Sequence, residues 1–331
     1  MPLAAVVGHA NLVQLLRRAV ERERVPQSLL FAGPEGVGKR ATALALAQAI
    51  NCPKQSAGDG CGVCPVCRRI VAGTFSDVIL LDRDGAASIG IDALREKVLG
   101  PVGYRPFEGR RRVFIIDPAD ELTPPAQDAL LKTLEEPPPS VILILVTAYP
   151  DSLVTTIRSR CRRLRFGALS DDEVRRVLIA VDPKMDAADA LRRASASGGS
   201  VARALAVDQA QFEDDRQVAV DLLRAAKGDN LRARLKASAA FAQVEKKRRV
   251  REAASVRLAI LASLLRDLTA LSAGRDDVIA NRDLTGDLMD IGPSYDARRL
   301  EAAFDVVREA EAAIDRNASP KTVADWIAVR V

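Results

Sequence analysis

Apolar and polar positions along this chain follow two rhythms. Leu12, Leu15, Leu16 and Val20 recur at helical spacing, and the run Ser28-Leu29-Leu30-Phe31-Ala32 after them is short, apolar and closed by Gly33. Ala41 to Ile50 is helical again and rich in Ala and Leu. Val78 to Leu81, Val113 to Ile116 and Val141 to Thr147 are further short apolar runs, the pattern of strands buried on both faces. Thr123-Pro124 predicts a helix start, with Thr as N-cap and Pro at the first helical position. Strands alternating with helices predict an α/β domain, a parallel sheet with helices on both faces.

After Phe166 the strand rhythm fades. Ser170-Asp-Asp-Glu173 is a capping-box pattern that opens a helix, and Gly198-Gly199 closes a small helical region. From about residue 208 the chain is rich in Ala, Leu and Arg at helical spacing, with breaks expected near Gly274, Gly286 and Gly292-Pro293. Ser319-Pro320 caps a last helix that carries Trp326; Trp326 and Phe304 read as core residues. Three domains are expected: an α/β domain at 1–167, a small helical domain at 168–207 and a larger helical domain at 208–331.

Composition narrows the classes of function. Lys and Arg number 49 against 44 Asp and Glu, a mildly basic balance that permits contact with phosphate backbones without demanding it. Aromatics at 4% argue against a base-stacking platform for single strands. No apolar run reaches the roughly 20 residues of a membrane helix. The first residues lack the basic start of a signal peptide, so a cytoplasmic protein without membrane contact is expected.

Gly33-Pro-Glu-Gly36-Val-Gly38-Lys39 stands between a strand and a helix, where a phosphate-binding loop belongs. Gly33, Gly36 and Gly38 allow backbone N–H groups to wrap phosphates, and Lys39 reaches the outer ones, so ATP or ADP is the candidate ligand. The next residue normally supplies the hydroxyl that holds Mg²⁺. Here it is Arg40, which cannot ligate a cation, and Thr42 lies further round the helix. Asp117 ends an apolar run as a metal-supporting acid would, but Pro118 follows where many ATPases carry a water-polarising Glu. Asp120 and Glu121 read as solvated residues at a helix entry. Mg²⁺-assisted hydrolysis is therefore not expected, while nucleotide binding stays open.

Cys52, Cys61, Cys64 and Cys67 fall within 16 residues, an insert at about 52–67 with no histidine nearby. Two overlapping C-x₂-C steps plus one distant cysteine suit a closed, structural Zn²⁺ site. The insert is too short and polar to form a core, so a metal would supply its folding energy. The spacing alone leaves an iron–sulfur cluster or free thiols open.

Ala129-Leu-Leu-Lys-Thr-Leu-Glu-Glu-Pro-Pro138, Val154-Thr-Thr-Ile157 and Ser159-Arg160-Cys161 resemble the AAA+ clamp-loader family of the bacterial replicase. Ser88-Ile-Gly-Ile-Asp92 with Arg95, and the position of the cysteine insert, fit the same family over residues 1–207. The resemblance implies a lid at 168–207, an oligomerisation collar at 208–331, and a hetero-oligomeric ring. Its partners would be ATPase subunits and a clamp-opening delta subunit, acting on a sliding clamp and primer-template DNA. It implies that Arg160 reaches across a subunit boundary as an arginine finger into a neighbour's ATP, with Ser159 fixing the loop and Cys161 packing. Arg158, Arg162, Arg163 and Arg165 read as solvated charges at a strand edge. The family's ATPases also carry a sensor Arg two residues after a Gly-Ser pair; here Ala202 stands there, with Arg203 displaced by one.

Arg40, Pro118 and Ala202 place the chain with the delta-prime type of subunit, which belongs to the DNA polymerase III holoenzyme and is expected to have no ATPase activity of its own. Two alternatives stay open: a self-sufficient ATPase of the gamma/tau type in which Thr42 or water replaces the missing ligands, and a zinc-dependent nucleic-acid-binding protein. By position His9 matches the family's adenine-side segment, or is a plain helix cap. Glu245 to Arg249, with Arg251, is the densest charge run and reads as a solvated helix face.

Overall fold

The computed structural model describes residues 1–206, 209–228, 230–243, 250–316 and 318–331, so the charge run at 245–249 lies outside the described residues. The chain forms two compact units, Met1–Leu169 and Ser170–Val331. Both helical regions expected after residue 167 fall within the second unit.

The first unit is built on five strands: β1 Ser28–Ala32, β2 Val78–Leu81, β3 Arg112–Ile116, β4 Val141–Thr147 and β5 Arg162–Arg165. All pairings are parallel, in the order β2-β3-β4-β1-β5. β4 lies between the loop-bearing strand β1 and the acid-bearing strand β3. Side chains alternate between the two faces. Leu29, Phe31, Val113, Ile115, Ile142 and Ile144 pack under α1 Ala10–Glu21 and α2 Lys39–Asn51. Leu30, Phe114, Ile116, Leu143 and Leu145 pack under α4 Ile91–Leu94, α5 Pro124–Glu135 and α6 Thr155–Arg160. α3 Pro65–Val71 belongs to the cysteine insert. Central strands buried on both faces explain the continuous apolar runs. β2 and β5 are the two edge strands; in β5 only Leu164 is buried, and Arg162, Arg163 and Arg165 are exposed as expected.

Among the described residues the second unit is all helical: α7 Asp171–Val181, α8 Ala187–Ser195, α9 Val201–Ala206, α10 Gln209–Ala226, α11 Leu231–Ala242, α12 Val250–Ser272, α13 Thr285–Ile291, α14 Ala297–Asp315 and α15 Pro320–Arg330. The capping box forms: Ser170 N donates to Glu173 Oε2 at 2.8 Å and Glu173 N to Ser170 Oγ at 3.3 Å. α12 is buried along most of its length, with Leu258, Ile260, Leu261, Leu264 and Leu265 inside. Phe304 and Trp326 pack against that core. Gly274 ends α12, but Gly286 lies inside α13 rather than breaking a helix. Arg257, itself buried, pairs with Asp215 at 2.6 Å and donates to Ala240 O, Phe241 O and Gln243 O where α11 ends. No helix among the described residues is long and apolar enough to cross a membrane.

Candidate functional site

The loop from Gly33 to Gly38 leaves the C-terminal end of β1 and turns into α2, so its backbone N–H groups meet the positive end of that helix. Two glycines are required by geometry. A Cβ on Gly33 would lie 2.1 Å from the carbonyl oxygen of Phe166, and Gly38, the N-cap of α2, has φ of +97°. His9, also in a left-handed conformation at φ 53°, places Nε2 3.1 Å from Val37 O and its ring edge-on to Phe166. It braces the loop from the α1 side.

Lys39 folds back onto its own loop, donating from Nζ to Gly33 O at 2.7 Å and Pro34 O at 2.6 Å. Burial lowers its pKa from the ordinary lysine value, against the opposing pull of Asp117, Glu35 and Asp120. A bound phosphate would draw the ammonium off these carbonyls, since a full anionic charge is the stronger acceptor.

Arg40 points across the strand ends. Its guanidinium lies 3.5 Å from Asp82, just past β2, and 3.8 Å from Asp117 at the end of β3. Burial pushes the Asp117 carboxyl up, while Arg40 and Lys39 pull it down. A protein cation thus sits among the acids that would otherwise support a metal. It supplies N–H donors and no oxygen ligand, so the residues present do not fit Mg²⁺. Thr42 does not replace the missing hydroxyl: it is fully buried and donates to Gly38 O, the N-cap carbonyl of α2, at 2.9 Å. The proximity of Asp82 was not foreseen, because it depends on β2 and β3 lying side by side.

Asp120 and Glu121 are not simply solvated. Asp120 Oδ1 accepts from Ala148 N at 3.1 Å, and Glu121 pairs with Arg83 at 3.1 Å. Their short 3₁₀ turn ties the end of β3 to the end of β4, which leaves neither carboxylate placed as a free base.

Arg160 belongs to a separate cluster. It ends α6, with Nη1 donating to Thr156 O at 3.0 Å and Nη2 lying 2.5 Å from Glu135 Oε1 at the end of α5. Ser159 Oγ donates to Thr156 O at 3.1 Å. Cys161 is buried, and burial pushes its thiol up to about 12, which suits packing rather than reaction. In the second unit Ala202 is exposed, and Arg203 turns back on its own loop, donating from Nη1 to Ser197 O at 3.3 Å.

The four expected metal ligands do converge. The Sγ atoms of Cys52, Cys61, Cys64 and Cys67 all lie within 4.8 Å of one another, and those of Cys52 and Cys64 are 3.9 Å apart. A tetrahedral Zn²⁺ with bonds of about 2.3 Å needs sulfurs roughly 3.8 Å apart. Cys61 N, Cys64 N and Cys67 N donate to the preceding cysteines' sulfurs at 3.3–3.4 Å, which would stabilise thiolates. Backbone N–H groups of Val63 and Cys64 pull Cys61 down to about 6, while burial pushes Cys52 and Cys67 up. The donor set fits a closed Zn²⁺ site. It lies at the far end of α2 from the phosphate loop, about 20 Å along 13 residues, and so has no part in its chemistry.

Residues 8–170 match the family described as DNA polymerase III, delta subunit. The DNA polymerase III subunit tau of Salmonella typhimurium (strain LT2) is 36% identical over 234 residues, covering 68% of this chain and 35% of that protein. Subunit tau of Bacillus subtilis (strain 168) is 36% identical over 169 residues, 51% of this chain and 30% of that one. The chain thus spans about a third of the length of these curated relatives. A gamma subunit-related protein from Thermotoga maritima of known structure covers 96% of this chain and 97% of its own, with a TM-score of 0.42 and 18% identity.

Proposed function

This chain belongs to the clamp-loader family of bacterial DNA polymerase III, and from that premise we propose that it is a delta-prime-like subunit which does not turn over ATP itself. The observation that carries this reading is the placement of Arg40, 3.5 Å from Asp82 and 3.8 Å from Asp117, where a working site would keep a metal ion. A guanidinium cannot polarise a phosphoryl oxygen as a Lewis acid does, and Pro118 supplies no base. Lys39 and the loop amides can still hold the phosphates of ATP or ADP.

In this reading the chain's contribution is Arg160, offered to ATP bound by a neighbouring ATPase subunit in a ring that includes a clamp-opening subunit. A planar cation there stabilises charge on the transferring phosphoryl group, worth roughly 10³–10⁵ in rate. Residues 168–207 act as the lid and 208–331 as the collar, and the assembly places a sliding clamp on primed DNA. Zn²⁺ on Cys52, Cys61, Cys64 and Cys67 holds the insert closed.

The gamma/tau names of the relatives favour a second reading, a self-sufficient ATPase. Thr42 weighs against it, being spent on Gly38 O. Measuring ATP turnover separates the two. The purified chain alone should be inactive, and Arg160→Ala should leave ring assembly intact while slowing DNA-stimulated turnover of the reconstituted loader. Turnover by the isolated chain that Lys39→Ala abolishes would establish the ATPase reading instead. Tight binding of DNA by the lone chain, with a steep salt slope, would favour a nucleic-acid-binding protein.

A further inference from the structure

α6 is tied along α5 at both ends. At the start, the buried Gln127 accepts from Val154 N at 2.9 Å and donates to Leu122 O and Ser152 O at 3.2 and 3.4 Å. In the middle, Ile157 of α6 is buried in the same cluster as Leu130 and Leu134 of α5. At the finish, Arg160 meets Glu135 at 2.5 Å. Glu135 is the last residue of α5, where the helix dipole opposes a carboxylate, and the pair is partly exposed. A pair of this kind contributes little to folding. What it does supply is orientation.

A guanidinium has five N–H donors in one plane. Thr156 O takes one from Nη1 and Glu135 takes one from Nη2, so contacts on two different nitrogens hold the plane. The Arg160 side chain keeps 33% of its surface exposed. We propose that Glu135 is the positioning residue for Arg160: it presents the guanidinium at a set angle, so a neighbour's nucleotide meets an oriented donor rather than a swinging one. This rests on the reading of Arg160 as an arginine finger.

The test uses the full chain in a loader reconstituted with its ATPase and clamp-opening subunits, and reads ATP hydrolysis stimulated by clamp and primed DNA. Glu135→Ala and Glu135→Gln are expected to lower kcat roughly tenfold with KM for ATP unchanged, because misorientation acts on the transition state. Glu135→Asp should recover part of the loss. The double variant Glu135→Ala/Arg160→Ala should be no slower than Arg160→Ala alone. Size-exclusion chromatography of each assembly checks that the ring has formed. Unchanged or faster turnover in both Glu135→Ala and Glu135→Gln, with Arg160→Ala slow, overturns the role of Glu135 and keeps the finger. Unchanged turnover in Arg160→Ala overturns the finger, and the positioning role falls with it.

Discussion

Arg40 brings a positive charge to the carboxylates of Asp82 and Asp117, so under the proposed reading a nucleotide entering the loop would not need Mg²⁺ to relieve repulsion from those acids. We expect affinity for ADP to differ by less than about threefold between excess Mg²⁺ and EDTA, read by fluorescence titration of a labelled nucleotide; an increase of about tenfold or more with Mg²⁺ would refute this. Asp77 shows a residue whose task is wholly structural. It is fully buried and accepts from Phe107 N, Glu108 N and Gly109 N, each at 2.8 Å, with Arg112 Nε 3.3 Å away. Burial alone would raise its pKa, but these backbone N–H groups and Arg112 outweigh it and hold the carboxyl below the ordinary value. The sign follows: a depressed folded pKa stabilises above the unfolded value of about 4, and the contribution is lost as pH falls through the folded value. Asp77→Ala should cost on the order of 3 kcal/mol in urea unfolding at neutral pH, with a smaller difference from wild type in acid.

At the scale of elements, the cysteine insert is held by more than its sulfurs. Asp59 accepts from Leu3 N at 2.7 Å and Ala4 N at 2.8 Å, and Gln48 Nε2 donates to Cys67 O at 2.7 Å. A Cβ on Gly58 would lie 2.0 Å from Arg17 O, so the insert's turn packs directly on α1. Removing the metal should therefore loosen residues 52–67 and the segment at 3–5 while the sheet persists. Hydrogen exchange before and after chelation reads this, with one equivalent of Zn²⁺ per chain expected in the released metal. Loss of protection throughout the strands would show the metal to be essential for the whole unit. α5 has a comparable role on the other face of the sheet: through Gln127 and Glu135 it fixes both ends of the helix that carries Arg160.

Across the whole molecule, each unit has its own apolar interior. The first is divided by the sheet into two layers, and the second surrounds α12. An isolated fragment of residues 1–169 should fold cooperatively and retain its metal, since its sheet pairings, its cysteines and the Phe166 contact with Gly33 lie within it. Circular dichroism and metal analysis of that fragment provide the check; a fragment without a thermal transition would show that the second unit is required.

Much of this was legible in the order of residues because the physics is local. A glycine-rich turn between a strand and a helix, a proline after Asp117 and four cysteines in 16 residues each stand within a short window. Strand β5 was legible only as an edge of charges, since Arg-Arg-Leu-Arg has one inward position and its identity comes from pairing with β1. Asp120 and Glu121 read as solvated because their partners, Ala148 N and Arg83, are far along the chain. Long-range neighbours decided the rest. Asp82 reaches Arg40 only because β2 lies beside β3, and Glu135 reaches Arg160 only because α5 carries α6. The sequence determined that Arg40 follows Lys39 and Pro118 follows Asp117, as that is a matter of residue type. Only the tertiary structure decided what Arg40 meets, because contact across the sheet depends on packing rather than on spacing along the chain.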